Sequence, residues 1–413
     1  MRSGMLDRLA EMRGYPLADD VTSAMTVVPR HLFVPEAPLS EAYGLGAVVT
    51  HRDEQGVPTS SASAPGTVAG MLEQAQVRPG HRVLEVGAGT GYNAALLAQL
   101  VGPSGSVTTI EYDADVAEAA RAHLAAYGAD QVRVVTGDGT QGSAEDGPFD
   151  RILVTAGAWD VAPAWVEQLA PDGRVVLPLR LRGLTRVVAF ERDGAGLRSV
   201  SVVEDGFIPM KGIGAMPEQN VPLGPGPDLT LRIDDAQPVA PGLLQALGSE
   251  TALEWTDLVA PWAWTPEQDL WLAALPGYCR VFVNAEAVTA GRVLRAKDPW
   301  GAWGVYSDSS LAYLTAQQVG GTDDMPMLQV GACGFGPDGT TLARLLTDRV
   351  RVWQEQAARG VDVTIAAWPL TSAPSPEEAG ALFVVDKVDH AFVVTAIPAT
   401  TSVEVQPRAG EAV

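Results

Sequence analysis

Three stretches of this 413-residue sequence hold residue types whose spacing can do chemistry. In "VLEVGAGTGYNAALLAQL", Gly87, Gly89 and Gly91 follow a short apolar run and open a helix-like one. Glycine lets a ligand approach the backbone closely, and a helix N-terminus offers free N–H groups. Glu111 closes "SVTTIEYD", 24 residues after Gly87, where a carboxylate can accept from both hydroxyls of a ribose. Asp138, in "TGDGT", closes a further strand and could accept from an adenine amine. A glycine-rich turn alone is weak evidence for a nucleotide, but three matched strand ends strengthen it. A dinucleotide is the rival ligand. The spacing is E-x-G-x-G-x-G rather than G-x-G-x-x-G, and Glu85 would repel a pyrophosphate while suiting the ammonium and sulfonium region of S-adenosyl-L-methionine. Just upstream, "PTSSASAPGTVAGML" places Thr59, Ser60, Ser61 and Ser63 within five residues. That stretch is either a slack linker or the part that holds a reacting group.

The elements that must position these groups follow from periodicity. "HRVLEVG", "SVTTIEYD", "QVRVVTGDG", "FDRILVTAG" and "GRVVLPL" read as buried strands, and "YNAALLAQLV", "ADVAEAARAHLAAYG" and "APAWVEQL" as helices. "TRVVAFERD" and "LRSVSVVE" read as a closing pair of strands, and residues 3–34 as helical with breaks. The alternation predicts an α/β, doubly wound Rossmann-like sheet with helices on both faces. The composition shifts at "PEQNVPLGPGPD", so we expect a domain over residues 1–215, a Pro/Gly-rich linker over 216–228, and a separate C-terminal α/β domain over 229–413. Within the last, "LARLLTDRVRVWQEQAARG" predicts an amphipathic helix and "ALFVVDKVDHAFVVTA" two paired strands.

Composition excludes several classes of function. The net charge is −22 and no basic patch is concentrated anywhere, so nucleic acid is not expected as a partner. No apolar run approaches the roughly 20 residues of a membrane helix, and the charged start "MRSGMLDRLAEMRGYP" lacks the apolar centre of a signal peptide; a cytoplasmic location is expected. Two distant cysteines and five scattered histidines suggest neither a disulfide framework nor a metal site.

The order of "AMTVVPRHLFVPE", "SAPGTVAGMLE", "VRPGHRVLEVGAGTGYNAALLAQLVG", "TTIEYD", "GDGTQG" and "PFDRILVTAGAWDVAPAWVEQLAPDGRVVLPL" resembles the protein-L-isoaspartate O-methyltransferases, over residues 3 to about 200. The resemblance implies an S-adenosyl-L-methionine-dependent methyltransferase that esterifies an isoaspartyl carboxylate. By position it places Glu85, Gly87, Gly89 and Gly91 along the methionine part, Glu111 at the ribose, and Asp138 with Gly139 at the adenine. The family's T-x-S-x-P substrate pattern falls on Ser61, Ser63 and Pro65, with serine in place of threonine. A carboxylate with a pKa of about 4 is already ionised at neutral pH, so the reaction needs no general base. It needs an in-line approach with one oxygen held still, and Ser63, helped by Ser61 and Ser60, would hold it.

The chain departs from the repair enzymes of that family by its added length and by Gly66 and Thr67 after the proline, which would widen the pocket. It is similar in this to C-terminally extended homologues associated with ribosomally made peptides such as lanthipeptides, graspetides and lasso peptides. That likeness implies a different substrate: an ordinary aspartate in an already cyclised precursor peptide, whose methyl ester closes to an aspartimide and can hydrolyse to isoaspartate. General isoaspartate repair is the alternative. Trp255, Trp262, Trp264, Trp271, Trp300 and Trp303 are either core or an apolar wall for such a peptide. Asp257 and Asp269 could hold a basic residue of the peptide or be solvated. A monomer is expected.

Overall fold

The computed structural model describes residues 2–398 apart from 216–217, 225, 227, 235–238, 249–250, 261–265, 297–300 and 323–325. The N-terminal part contains helices α1 (Arg2–Arg13), α2 (Asp19–Val27) and α3 (Leu39–Ala42) and a hairpin of β1 (Val48–Arg52) and β2 (Pro58–Ala62). There follow α4 (Pro65–Ala75), β3 (Arg82–Val86), α5 (Tyr92–Val101), β4 (Ser106–Glu111), α6 (Ala114–Tyr127), β5 (Arg133–Thr136), β6 (Phe149–Val154), α7 (Pro163–Gln168), β7 (Leu169–Leu181), β8 (Leu184–Asp193) and β9 (Gly196–Glu204). These strands form a sheet in the order β5-β4-β3-β6-β7-β8-β9, parallel from β5 to β7 and antiparallel beyond. The chain order reverses between β3 and β6, and a doubly wound sheet binds ligands in the crevice outside such a reversal.

Alternation along β3 explains the two faces. Val83 packs into one core with α1, α2, α4 and α5, whereas Leu84 and Val86 pack into another with Trp165 of α7. The second core does not stop at the sheet. It runs on through Val188 and Phe190 of β8 to Leu270, Trp303, Ala343 and Leu346 in the C-terminal half.

That half is sheet-rich. Strands β10 (Glu218–Leu223), β11 (Leu229–Asp234), β12 (Ala252–Ala260), β13 (Tyr278–Val283), β14 (Ala302–Tyr306), β15 (Leu311–Gly321) and β16 (Pro326–Phe335) form a second sheet in the order β10-β11-β13-β14-β15-β16-β12. Helices α8 (Pro266–Leu272), α9 (Ala285–Thr289) and α10 (Gly339–Ala357) accompany it, and α10 lies against β12, β15 and β16. The chain then returns to the first sheet. Strand β17 (Val361–Pro369) pairs with β9, and β18 (Phe383–Asp386) and β19 (His390–Pro398) complete a ten-stranded sheet.

The division expected from composition is therefore redrawn. Residues 216–228, read as a linker, contain β10, whose six residues pair in register with β11. Residues 361–398, assigned by sequence to the C-terminal domain, contribute three strands to the N-terminal sheet. Buried ion pairs tie the two sheets. Arg180 of β7 bonds Asp234 at 3.0 Å and Glu218 at 2.7 Å, and Arg186 of β8 bonds Asp269 at 2.9 Å with both side chains almost wholly buried. No helix among the described residues is long and apolar enough to cross a membrane.

Candidate active site

A cavity of about 540 Å³ opens at the C-terminal ends of β3, β4 and β6, at the order reversal. Its floor is the glycine loop, one wall is β2 with the first turn of α4, and residues 205–211 close another side.

The glycines are there because side chains would not fit. Gly87 has φ +99°, and a Cβ on it would lie 2.7 Å from Thr155 Oγ1. Thr155 donates to the Gly87 carbonyl at 2.7 Å, which holds the loop down on β6. A Cβ on Gly139 would run into Val86 Cγ1, and Trp165 Nε1 fixes the Gly139 carbonyl at 2.8 Å. Gly89, at φ +52°, brings the loop against the serine strand: its Cβ would lie 3.4 Å from the Ser61 carbonyl oxygen. Gly91 does something else. It caps α5, faces Ala120 and Leu124 of α6, and does not line the cavity.

Glu111 lines the cavity. Its Oε2 accepts from the Gly89 N–H at 2.9 Å and Oε1 from the Asp113 N–H at 3.2 Å, so each oxygen keeps a lone pair for a further donor such as a ribose hydroxyl. Asp138 sits just behind the lining. Oδ1 accepts from the Thr140 N–H and hydroxyl and Oδ2 from the Ile213 N–H at 3.1 Å. Burial pushes its carboxyl up, but these bonds from Thr140 and Ile213 outweigh it and hold the group below its ordinary range.

Glu85 does not meet the cavity. It is fully buried, accepting from Asn93 Nδ2 at 2.7 Å and Thr109 Oγ1 at 2.5 Å. Burial, against those two bonds, pushes its pKa up to about 7. The consequence falls on Asn93, which does line the cavity: with its amide nitrogen engaged by Glu85, its carbonyl oxygen is left to accept from an ammonium.

The hydroxyl-rich stretch is a strand rather than a slack linker. Residues 58–62 pair with β1, and Ser60, Ser61 and Ser63 all line the cavity, half-buried. Ser60 Oγ accepts weakly from Thr50 at 3.4 Å; among the described residues no protein group takes up the hydroxyl of Ser61 or Ser63. Thr67, in the first turn of α4, lines the cavity with Asp205, whose carboxyl burial raises above its ordinary range against the lowering effect of the Thr67 hydroxyl. Gly66 faces Leu9 and Met12 of α1, so its small size does not widen the cavity as the sequence suggested.

The sequence reading missed Asn93, Thr155, Asp205 and the segment around Phe207–Met210, all in the lining. Asn93 could have been found, since a polar side chain in the first turn after a glycine loop points at whatever the loop holds. Thr155 and residues 205–210 arrive only through tertiary pairing, such as the bridge from Gly157 to Pro209. In the C-terminal half, Trp271 and Trp303 are core residues and Asp269 is spent on Arg186, so none of these three is offered to a peptide. Asp257 is exposed; Trp262, Trp264 and Trp300 lie outside the described residues.

The family model for protein-L-isoaspartate(D-aspartate) O-methyltransferase matches residues 2–213. The protein-L-isoaspartate O-methyltransferase of Methanopyrus kandleri is 43% identical over 196 residues, 47% of this chain and 84% of that protein. The protein-L-isoaspartate O-methyltransferase 2 of Archaeoglobus fulgidus is 40% identical over 216 residues, 50% of this chain and 92% of that protein. A solved protein-L-isoaspartate O-methyltransferase aligns with 89% of this chain and 96% of its own at 22% identity and a TM-score of 0.49.

Proposed function

Because the chain belongs to the protein-L-isoaspartate(D-aspartate) O-methyltransferase family of S-adenosyl-L-methionine-dependent carboxyl methyltransferases, we propose that it esterifies the free carboxylate of an isoaspartyl residue in a protein or peptide. The observation that carries this reading is that Gly89 of the glycine loop lines the same cavity as Ser61 and Ser63, close enough to their strand that a side chain on Gly89 would touch the Ser61 carbonyl. A donor held on the first lies beside an acceptor held on the second.

The cavity residues fit the cofactor. In this reading the bare Cα atoms of Gly87 and Gly89 make room for the methionine part, the Asn93 carbonyl takes the ammonium, Glu111 the ribose, and Gly139 with Asp138 the adenine edge. Glu85 and Gly91 support from behind, one through Asn93 and the other through the seat of α5. When bound, S-adenosyl-L-methionine supplies an electrophilic methyl group. The protein then has one task, to hold an already ionised carboxylate in line with it. Ser63 and Ser61 are suited to that task because a hydroxyl donates to one carboxylate oxygen without neutralising the nucleophile as a close ammonium would. Ser60 buttresses the strand.

A second reading has one observation in its favour. Beyond the matched part, strands β10–β16 form a sheet that shares a core with the methyltransferase sheet, and β17–β19 return to the latter. An extension so tightly joined suits a substrate larger than a flexible isoaspartyl loop, such as an ordinary aspartate in a cyclised ribosomal peptide, esterified on the way to aspartimide. Mass spectrometry with S-adenosyl-L-methionine separates the two. Methylation of a linear isoaspartyl peptide is expected. Methylation followed by loss of methanol on a cyclised aspartyl peptide, with the linear one untouched, would replace the first reading by the second.

A further inference from the structure

The cavity must accept an anion, yet its lining opposes one. Glu111, Asp113 and Asp205 face it, and the one cationic lining residue among the described residues, Lys211, is ion-paired with Asp113. The whole chain carries −22. The opposing charge stands immediately behind the serine strand. Arg30, in the short 3₁₀ turn Arg30–Phe33, is wholly buried. Its Nε donates to the Ala42 carbonyl at 3.0 Å, and its Nη2 to the carbonyls of Ala62 at 3.2 Å and Ser63 at 2.9 Å. Its Nη1 is buried without a hydrogen-bond partner, and no carboxylate among the described residues pairs with it. The guanidinium also lies over the ring of Tyr92, a cavity residue, with its central carbon 5.1 Å from the centroid.

A buried cation without a counter-charge is expensive, and one tolerated in the native state has a use to be sought. Three carbonyls satisfy part of the fork. Two of them belong to the segment that presents Ser61 and Ser63, so the same contacts that seat the guanidinium also fix that segment. We propose that Arg30 is the positioning and charge-selecting residue of the substrate site: it holds the Ala62–Ser63 backbone and supplies, through the strand, the positive potential that admits a carboxylate into an otherwise acidic cavity. The bound carboxylate is then the counter-charge the free protein lacks. This rests on the reading of the cavity as a carboxyl methylation site.

The test compares two ligands that differ only in charge: an isoaspartyl peptide and the same peptide with a carboxamide in place of its free carboxylate. Binding of each is measured calorimetrically in the presence of S-adenosyl-L-homocysteine. The wild-type protein should prefer the carboxylate roughly ten- to a hundredfold, the size of a charge interaction about 6–12 Å long at an effective dielectric constant of about 20. R30Q should reduce the preference to under threefold and leave S-adenosyl-L-homocysteine affinity unchanged. R30K should retain most of the preference while losing kcat, since an ammonium keeps the charge but not the fork. A folded R30Q protein that still prefers the carboxylate, or a folded R30K protein that does not, would overturn the proposal. Should neither variant fold, the wild-type preference is measured in 0.05 and 0.5 M salt. A buried source is screened little and the preference should persist; its collapse would place the source on the surface and reject Arg30. Failure of the wild-type protein to methylate the isoaspartyl peptide at all would instead refute the underlying functional reading.

Discussion

The glycines after β3 and β5 and those along β16 are all crowded, and they serve opposite ends. Beside Gly87 and Gly139 the space a side chain would need is taken by Thr155 and Val86, and the free side of the backbone faces the cavity. Beside Gly331 and Gly334 it is taken by the Trp255 ring and the Gly339 backbone, and nothing is left open. The second sheet uses glycine to close a layer, so that α10 can lie flat on β16. The first sheet uses it to keep a ligand's place. Close approach alone therefore does not mark a site. It does so where the strand end also carries a group with a lone pair to spare, as Glu111 does beside Gly89.

The strongest way to break this comparison is to fill both kinds of space. Gly334→Ala should unfold the protein several degrees earlier, because the new methyl meets backbone that cannot yield; overpacking of this kind costs roughly 1–3 kcal/mol or more. The folded fraction should bind S-adenosyl-L-homocysteine normally. Gly87→Ala should do the reverse in emphasis, lowering that affinity on the order of tenfold to a hundredfold, through both the crowding by Thr155 and the positive φ. Calorimetry and thermal melts on both variants read the two effects separately. Equal losses of cofactor affinity would show that the distinction between the regions is false.

Next in size is Ser63→Ala. A hydrogen bond to a charged group contributes roughly 1.5–3 kcal/mol, so kcat/KM for an isoaspartyl peptide should fall about ten- to a hundredfold. Cofactor affinity should not change, since Ser63 makes no bond to the glycine loop. Steady-state kinetics at saturating cofactor decide it, and an unaltered kcat/KM would remove Ser63 from the site.

How much of this could be read in the sequence depends on the range of the interaction. The parallel strands, their glycine turn and the acid at the end of β4 are local patterns, and they were legible. Residues 58–62 looked like loop because serine, threonine and proline dominate them; their strand geometry comes from β1, whose "VVTHR" gives little sign of its partner. The stretch 216–228 looked like linker for the same compositional reason, although β10 finds its register on β11. The return of β17 to β9 joins residues more than 160 positions apart, as in Ala366 opposite Arg198, and no window of sequence contains both. Arg30 was read as part of a helical run; only the fold reveals that its side chain ends under Ser63.

Glu85 sharpens the lesson: its place at the end of β3 suggests the cofactor as its neighbour, whereas the fold turns it onto Asn93 and Thr109. Its folded pKa of about 7 lies above the ordinary value of 4.5, so the folded protein binds more protons than the unfolded one between those limits. Stability must then fall as pH rises from about 4.5 through about 7, by up to about 3 kcal/mol, and stay lowered above. Glu85→Gln removes that dependence and should leave the variant at least as stable as the wild type at pH 8. Denaturant melts across pH 5–8 test this. A carboxylate in direct contact with the cofactor's ammonium would instead show a tenfold or larger loss of S-adenosyl-L-methionine affinity in the variant; under threefold is expected.

The smallest effect concerns the join between the regions. Asp160, in the loop that follows β6, accepts from the Asp389 N–H at 2.8 Å and from His390 Nδ1 at 3.2 Å, while Lys387 beside them donates to the carbonyls of Trp159 and Arg180. Burial raises the Asp160 carboxyl, but the bonds from His390 and Asp389 outweigh it, so its folded pKa lies below the unfolded value. The stability this contributes is present above the ordinary pKa of about 4 and is lost as pH falls through the lower, folded one. Asp160→Asn should therefore cost about 1–2 kcal/mol at pH 7, with the gap to the wild type closing in acid below about pH 4. A gap that stays constant down to pH 3 would mean that the loop and the terminal hairpin are joined by packing and not by this charge. The β17–β19 return would then be a covering of the first sheet and not a hydrogen-bonded clasp on the loop that runs on from Thr155.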